Sequence, residues 1–176
     1  MLLPDHEIRK RCFNAIFFEQ GMPMLHPFSE GVQGNGVISY GLTSAGYDLR
    51  LAPQVWLFKN TRGIVVDPKK FKDPEYAASV FDTYESDLPI TIPAHGYLLG
   101  RSVEYICIPK NLKGRCTGKS TMARSGIIVN MTPLEPGWHG HLTIEISNAN
   151  PCPALIYPHE GIAQLEFELI DGVLMH

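Results

Sequence analysis

Two stretches of the chain hold residue types that can do chemistry together. Gly118-Lys119-Ser120-Thr121 combines a glycine turn, an ammonium and two hydroxyls. Backbone N–H groups in such a turn, with a lysine and hydroxyls, make a cradle for phosphate oxygens. Arg124 follows four residues after Ser120. Further on, Glu145 stands in the alternating run His141 to Ser147. Its period of two sends Leu142, Ile144 and Ile146 to one face and His141, Thr143, Glu145 and Ser147 to the other. A carboxylate near an arginine and a hydroxyl can work as a general base rather than as a surface charge. Between the two stretches lies a Pro/Gly turn, Pro133 to Gly140.

Other chemistries fit less well. A Walker A loop needs G-x-x-x-x-G-K-[ST] between a strand and a long helix. Gly114 to Gly118 is one residue too short, and no βαβ pattern follows. His139 and His141 have strand spacing for a pair of metal ligands, but no acid completes a site, so no protein-bound metal is expected. Pro151-Cys152-Pro153 does not meet the H-x-E with P-C-x-x-C signature of zinc deaminases. No G-x-S-x-G elbow occurs.

The scaffold for these residues reads as mainly β. Asp5 is the expected N-cap of a short helix over residues 5–13. Residues 18–36 carry Gly21, Pro23, Pro27, Gly31, Gly34 and Gly36 and suit a surface loop. Strands are expected on both sides of Ser44-Ala45-Gly46-Tyr47-Asp48, where Asp48 reads as a hairpin acid facing solvent. Further strands are expected at 64–68, on both sides of Ala94-His95-Gly96, at a buried Ile127–Val129, and at 162–170 with Ala163, Leu165, Phe167 and Leu169 inward, while Leu112 to Thr117 leads into Gly118. Residues 69–87 read as a surface loop or short helix without an assigned role. One helical turn, 122–126, is expected to close at Gly126. Short strands with frequent Gly and Pro indicate a barrel or sandwich.

Length and composition narrow the field. At 176 residues the chain reads as one domain, 1–176. The net charge is −3 with no run of like charges, so no nucleic-acid surface is expected. No apolar run approaches a membrane span of about 20 residues. The start, Met1 to Asp5, turns polar too early for a signal peptide, which makes the cytoplasm the expected location. Cys12, Cys107, Cys116 and Cys152 form no C-x-x-C pair and read as reduced, structural thiols.

Four segments in this order resemble one family. Ser44-Ala45-Gly46-Tyr47-Asp48-Leu49 is similar to the A-G-x-D-L motif of trimeric dUTPases and their relatives. Gly118-Lys119-Ser120-Thr121 with Ala123-Arg124-x-Gly126 is similar to the G-[RK]-S-[ST]-x-x-R-x-G of dCTP deaminases. Glu135-Pro136-Gly137-Trp138-x-Gly140, followed by Thr143-Ile144-Glu145, resembles their D-P-G-W-x-G…E segment. Glu160 to Leu165 resembles their G-x-x-I-x-Q-L strand.

The resemblance implies a distorted dUTPase-like β-barrel with a short N-terminal helix, assembled as a homotrimer with active sites between subunits. It implies hydrolytic deamination of dCTP to dUTP and ammonia, feeding dUMP and dTTP synthesis. Ser120 and Arg124 would face the base and the water, and Glu145 would move the protons. Lys119, Ser120 and Thr121 would hold phosphates, with Mg²⁺ carried by the triphosphate and no zinc. Glu135 takes the place of the family's Asp near the sugar. Gly137, Trp138, Thr143 and Gln164 complete the implied nucleotide contacts. dTTP is a candidate inhibitor. Glu135 in place of Asp, Thr132-Pro133-Leu134 in place of a longer basic turn, and a chain ending at His176 before a Gly-rich tail depart from the family pattern. The alternatives are a bifunctional enzyme giving dUMP, a plain dUTPase, and a non-catalytic nucleotide-binding regulator.

Overall fold

The structure, a computed structural model, describes residues 1–34, 36–59 and 65–172. Helix α1 (Asp5–Phe13) turns Ile8 and Cys12 inward at i, i+4 spacing. Its N-cap is Pro4, not Asp5, and no side chain caps it. Asp5 instead sits in the first turn with Glu7, where carboxylates oppose the positive end of the helix dipole. The Asp5 N–H donates to the Ser44 carbonyl at 3.1 Å, which ties the helix to the next hairpin.

The Gly/Pro stretch forms two short strands within its loop, β1 (Leu25–His26) and β2 (Val32–Gly34). Strands β3 (Val37–Thr43) and β4 (Gly46–Arg50) make the hairpin around Ser44-Ala45, and β5 (Gln54–Phe58) follows. The expected strand at 64–68 is not seen. Ile64 lies outside the described residues, and Val65 to Asp67 are not in a strand. Asp67 instead accepts the Lys69 N–H at 3.0 Å and caps a 3₁₀ turn, Pro68–Lys70. Helix α2 (Pro74–Val80) starts where the Asp73 side chain accepts the Glu75 N–H at 3.0 Å and proline occupies the first turn. Next come β6 (Phe81–Glu85), β7 (Ile90–Ile92), β8 (Tyr97–Cys107) and β9 (Leu112–Gly118). Helix α3 (Ser120–Arg124) is the expected turn begun two residues earlier, and it closes at Gly126 with φ 68°. The chain ends in β10 (Ile127–Asn130), β11 (His139–Asn148), β12 (Ala154–Ile156) and β13 (Gly161–Leu169).

The strands form three sheets. One runs β10-β11-β8-β5-β6 with β1 added on β8; the second runs β2-β3-β4-β13-β9; β7 and β12 pair as the third. Among the described residues these pairings do not close into one hydrogen-bonded ring. Tyr47, Leu49, Leu165 and Phe167 from the second sheet join Leu98, Ile106, Leu142, Ile144 and Ile146 from the first in a single core. Glu104 of β8 is wholly buried and pairs with Arg50 of β4 at 2.7 Å, joining the two large sheets. Burial pushes the Glu104 carboxyl up, and Arg50 opposes that rise.

Two expected core positions are not buried. β10 is a sheet edge, so Ile127 points in while Ile128 is 57% exposed. Leu169 is the last residue of β13 and is exposed, although it stays paired with Leu112 of β9. All four cysteines are free, and burial pushes the Cys12 and Cys116 thiols up to about 12, which keeps them unreactive near neutral pH.

Candidate active site

Strand β11 supplies the carboxylate. Its alternation is the expected one: Leu142, Ile144 and Ile146 are buried, Thr143 is exposed and Glu145 half-buried. Glu145 lies opposite Asn130 of β10 and Leu99 of β8. Thr143 and Glu145 line a cavity of 520 Å³ whose other walls include Phe58, Phe71, Phe81 and Tyr97. Those rings brace each other, with Phe58–Phe81 centroids 5.4 Å apart and Phe71–Phe81 5.9 Å apart. Helix α2 and the turn before it therefore serve to bring Phe71 and Phe81 over the sheet. The stretch 69–87, without a role in the sequence, forms a wall of this cavity.

The electrostatics of Glu145 follow from that wall. Its Oε2 is buried and has no hydrogen-bond partner among the described residues. Desolvation raises the Glu145 carboxyl above the usual carboxylate range, and its own backbone N–H offsets part of the rise. Tyr97 is raised as well, first by burial and then by the charge of Glu145. A carboxylate in an apolar pocket with an unused oxygen is arranged to take a proton from a bound water or ligand.

The Gly-Lys-Ser-Thr segment sits at the junction of β9 and α3. Lys119 is 5% exposed and does not face solvent. Its ammonium is turned inward, donating to the Asp48 carboxylate and, at 3.1 Å, to Ser39 Oγ. Asp48, expected in solvent, is buried because β4 is covered on both faces. This pair holds the start of α3 against the hairpin sheet. The far end of α3 is held by Asn150, whose Nδ2 donates to the Ser125 carbonyl at 2.8 Å. Asn148 steadies Asn150 and donates in turn to the carbonyls of Pro93 and Cys152. Between these clamps, Ser120 and Arg124 are exposed and Thr121 is half-buried. Arg124 makes no ion pair among the described residues. Neither Ser120 nor Arg124 lines the Glu145 cavity of its own chain.

The remaining expected residues form a third group. Glu135 is exposed and ion-paired with Lys113 at 3.3 Å. Gly137 has φ 78°, a conformation open to glycine, and its N–H donates to the Ile108 carbonyl at 2.9 Å. Trp138 is half-buried against the core. Gln164 is exposed on β13, opposite Asp48 and Thr117. His139 opens β11 rather than lying in the turn, and its Nδ1 shares a hydrogen bond of 2.8 Å with the Tyr105 hydroxyl. His141 Nδ1 meets the Ser102 carbonyl at 3.0 Å. Sequence reasoning missed Asp48 and the four rings around Glu145. The run Gly46 to Leu49, without outward polar alternation except Asp48, was the available signal for a buried acid.

Known proteins share this architecture. A 2′-deoxycytidine 5′-triphosphate deaminase from Agrobacterium tumefaciens matches with a TM-score of 0.65 at 16% identity, over 98% of this chain and 49% of that one. A dUTPase of Staphylococcus bacteriophage 80alpha matches with a TM-score of 0.50 at 14% identity, over 86% of this chain and 85% of that one. The fold is thus of the dUTPase-like type. The dCTP deaminase-like family model matches residues 3–170. A dCTP deaminase of Sulfurovum sp. (strain NBC37-1) is 48% identical over 166 residues, 94% of this chain and 81% of that protein. One of Campylobacter jejuni (strain 81116) is 50% identical over 166 residues, 94% of this chain and 82% of that protein. The chain belongs to the dCTP deaminase-like family.

Proposed function

We propose that the protein is a hydrolase that converts dCTP and water to dUTP and ammonia. The observation that carries the reading is Glu145: a carboxylate with an unused buried oxygen, in an aromatic cavity, on a strand shared with Thr143. Relatives at 48–50% identity named dCTP deaminase support the substrate. In the scheme, water attacks C4 of the cytosine ring. Glu145 takes the proton of that water and passes it to N3. It then takes the proton of the new C4 hydroxyl and delivers it to the amino group, which leaves as ammonia as the C4 carbonyl forms. Positioned proton transfer of this kind contributes about 10²–10⁴-fold. Orientation and fixed dipoles at the developing charge supply the rest.

Ser120 and Arg124 come to this cavity from a neighbouring copy in a homotrimer. Their exposure on α3, away from the Glu145 cavity of their own chain, favours that arrangement. Arg124 of the neighbour would lower the Glu145 carboxyl and keep it ionised against the desolvation that raises it. The Ser120 and Thr121 hydroxyls, Glu135, Gly137, Trp138 and Gln164 hold the nucleotide. Mg²⁺ enters with the triphosphate as part of the substrate. Lys119 acts through its buried pair with Asp48, which sets the position of α3.

Incubation of the protein with dCTP and Mg²⁺, with products resolved by ion-exchange chromatography, tests the reading. Equal amounts of dUTP and ammonia are expected. dUMP with pyrophosphate would assign the bifunctional reaction. Nucleotide binding without turnover would assign a regulator.

A further inference from the structure

Arg11 carries a buried charge whose ion-pair contact among the described residues is a long one, to Glu7. It lies in α1 and is 8% exposed. Its Nε is buried without a hydrogen-bond partner among the described residues. Among the described residues its ion-pair contact is Glu7 at 4.0 Å, and Glu7 also meets Lys10 at 3.5 Å. A guanidinium keeps its proton at any working pH, so deprotonation cannot relieve the burial. The Phe17 ring lies 5.0 Å from the guanidinium carbon. Such a contact is worth about 0.5–2 kcal/mol, less than the several kcal/mol that burying an unpaired ion costs.

Arg11 opens on a cavity of 340 Å³, separate from the Glu145 cavity, between the 3₁₀ turn Ala15–Phe17 and the loop of Pro109, Lys110 and Asn111. Phe17 and Phe18 form its apolar wall. Glu19 also lines it, with Oε1 already accepting the Lys110 N–H at 3.3 Å. The charged residues that line it are Arg11 and Lys110 against Glu19, which leaves one positive charge on its wall.

We infer that this cavity binds a small organic monoanion, a carboxylate on an aromatic or aliphatic body. The carboxylate takes the terminal N–H groups of the Arg11 guanidinium, whose Nε is closed off from the cavity, and the side-chain amide of Asn111. The body lies against Phe17 and Phe18. One ligand charge matches the one unbalanced charge of the site, and a planar carboxylate matches the fork of the guanidinium.

Benzoate is the probe, with benzyl alcohol as its neutral counterpart and inorganic phosphate as an anion without an apolar body. Thermal unfolding of the full chain is expected to shift up by about 1–3 °C with millimolar benzoate and not with the other two. Arg11→Met keeps the stem of the side chain and removes the buried, weakly paired charge. It is expected to raise the melting temperature without ligand and to abolish the benzoate shift. Asn111→Ala is expected to leave the melting temperature near that of the parent and to weaken the benzoate response. No shift with benzoate, an equal shift with phosphate, or a full shift retained in Arg11→Met would overturn the assignment. So would a lower melting temperature for Arg11→Met, which would make Arg11 a structural residue.

Discussion

Glu145 meets two opposed demands. As the base of the proposed reaction it must be ionised, and its pocket resists ionisation. Glu145→Gln separates the two. Turnover of dCTP is expected to fall by about 10²–10⁴-fold while nucleotide binding stays within a few-fold, read by single-turnover assay and by calorimetry. The same change is expected to stabilise the fold at pH 7.5, because it removes a half-buried carboxylate whose Oε2 has no partner among the described residues. The sign follows from linkage. A carboxyl raised in the native state binds its proton more tightly there than in the unfolded chain, so ionisation costs stability as pH rises. The advantage of the glutamine variant should thus be full above the native value of Glu145. It should vanish as pH falls below the unfolded-state value of about 4.3. Thermal unfolding at pH 4 and pH 7.5 checks this, and an advantage independent of pH would remove the desolvation account.

At the scale of elements, α3 is the piece that must be held still. Its five residues are too few to be stable alone, so its position depends on the Asp48–Lys119 pair at one end and Asn150 at the other. Asp48→Asn leaves the Lys119 ammonium buried without its counter-charge. It is expected to cost about 3–5 kcal/mol in denaturant unfolding, and Asp48→Asn with Lys119→Met should recover most of that. Additive losses would contradict the pairing. This pair also shows where the sequence stops being readable. The face of β11, the Ser44-Ala45 hairpin and the closure of α3 at Gly126 are local patterns with a period or a turn residue to mark them, and each was legible. Asp48 and Lys119 are 71 residues apart, and nothing in either local segment names the other. The aromatic wall was hidden for the same reason. Phe71 and Phe81 come from a stretch with no clear period, and their partners Phe58 and Tyr97 lie on separate strands. The N-cap was misread because Pro4 takes the capping position with its fixed φ, which displaces Asp5 into the first turn.

At the scale of the whole molecule, the parts of the site are distributed over the surface of one chain. The Glu145 cavity lies beneath Phe71 and Phe81, while Ser120 and Arg124 stand on α3 without a partner in their own chain among the described residues. Closed rotational symmetry lets such halves meet between copies. Light scattering is expected to give three times the mass of one chain, 19.6 kDa, at micromolar concentration. The central claim, that Glu145 of one chain and Arg124 of another deaminate dCTP together, is tested most directly by mixing subunits. Glu145→Gln and Arg124→Ala chains, each inactive, are unfolded together, refolded as mixed oligomers and assayed for ammonia release from dCTP. Random mixing at equal amounts leaves about one site in four with both intact groups, so about a quarter of the parent activity is expected. Mixed oligomers of the correct mass with no activity above the single variants would contradict a site shared between chains.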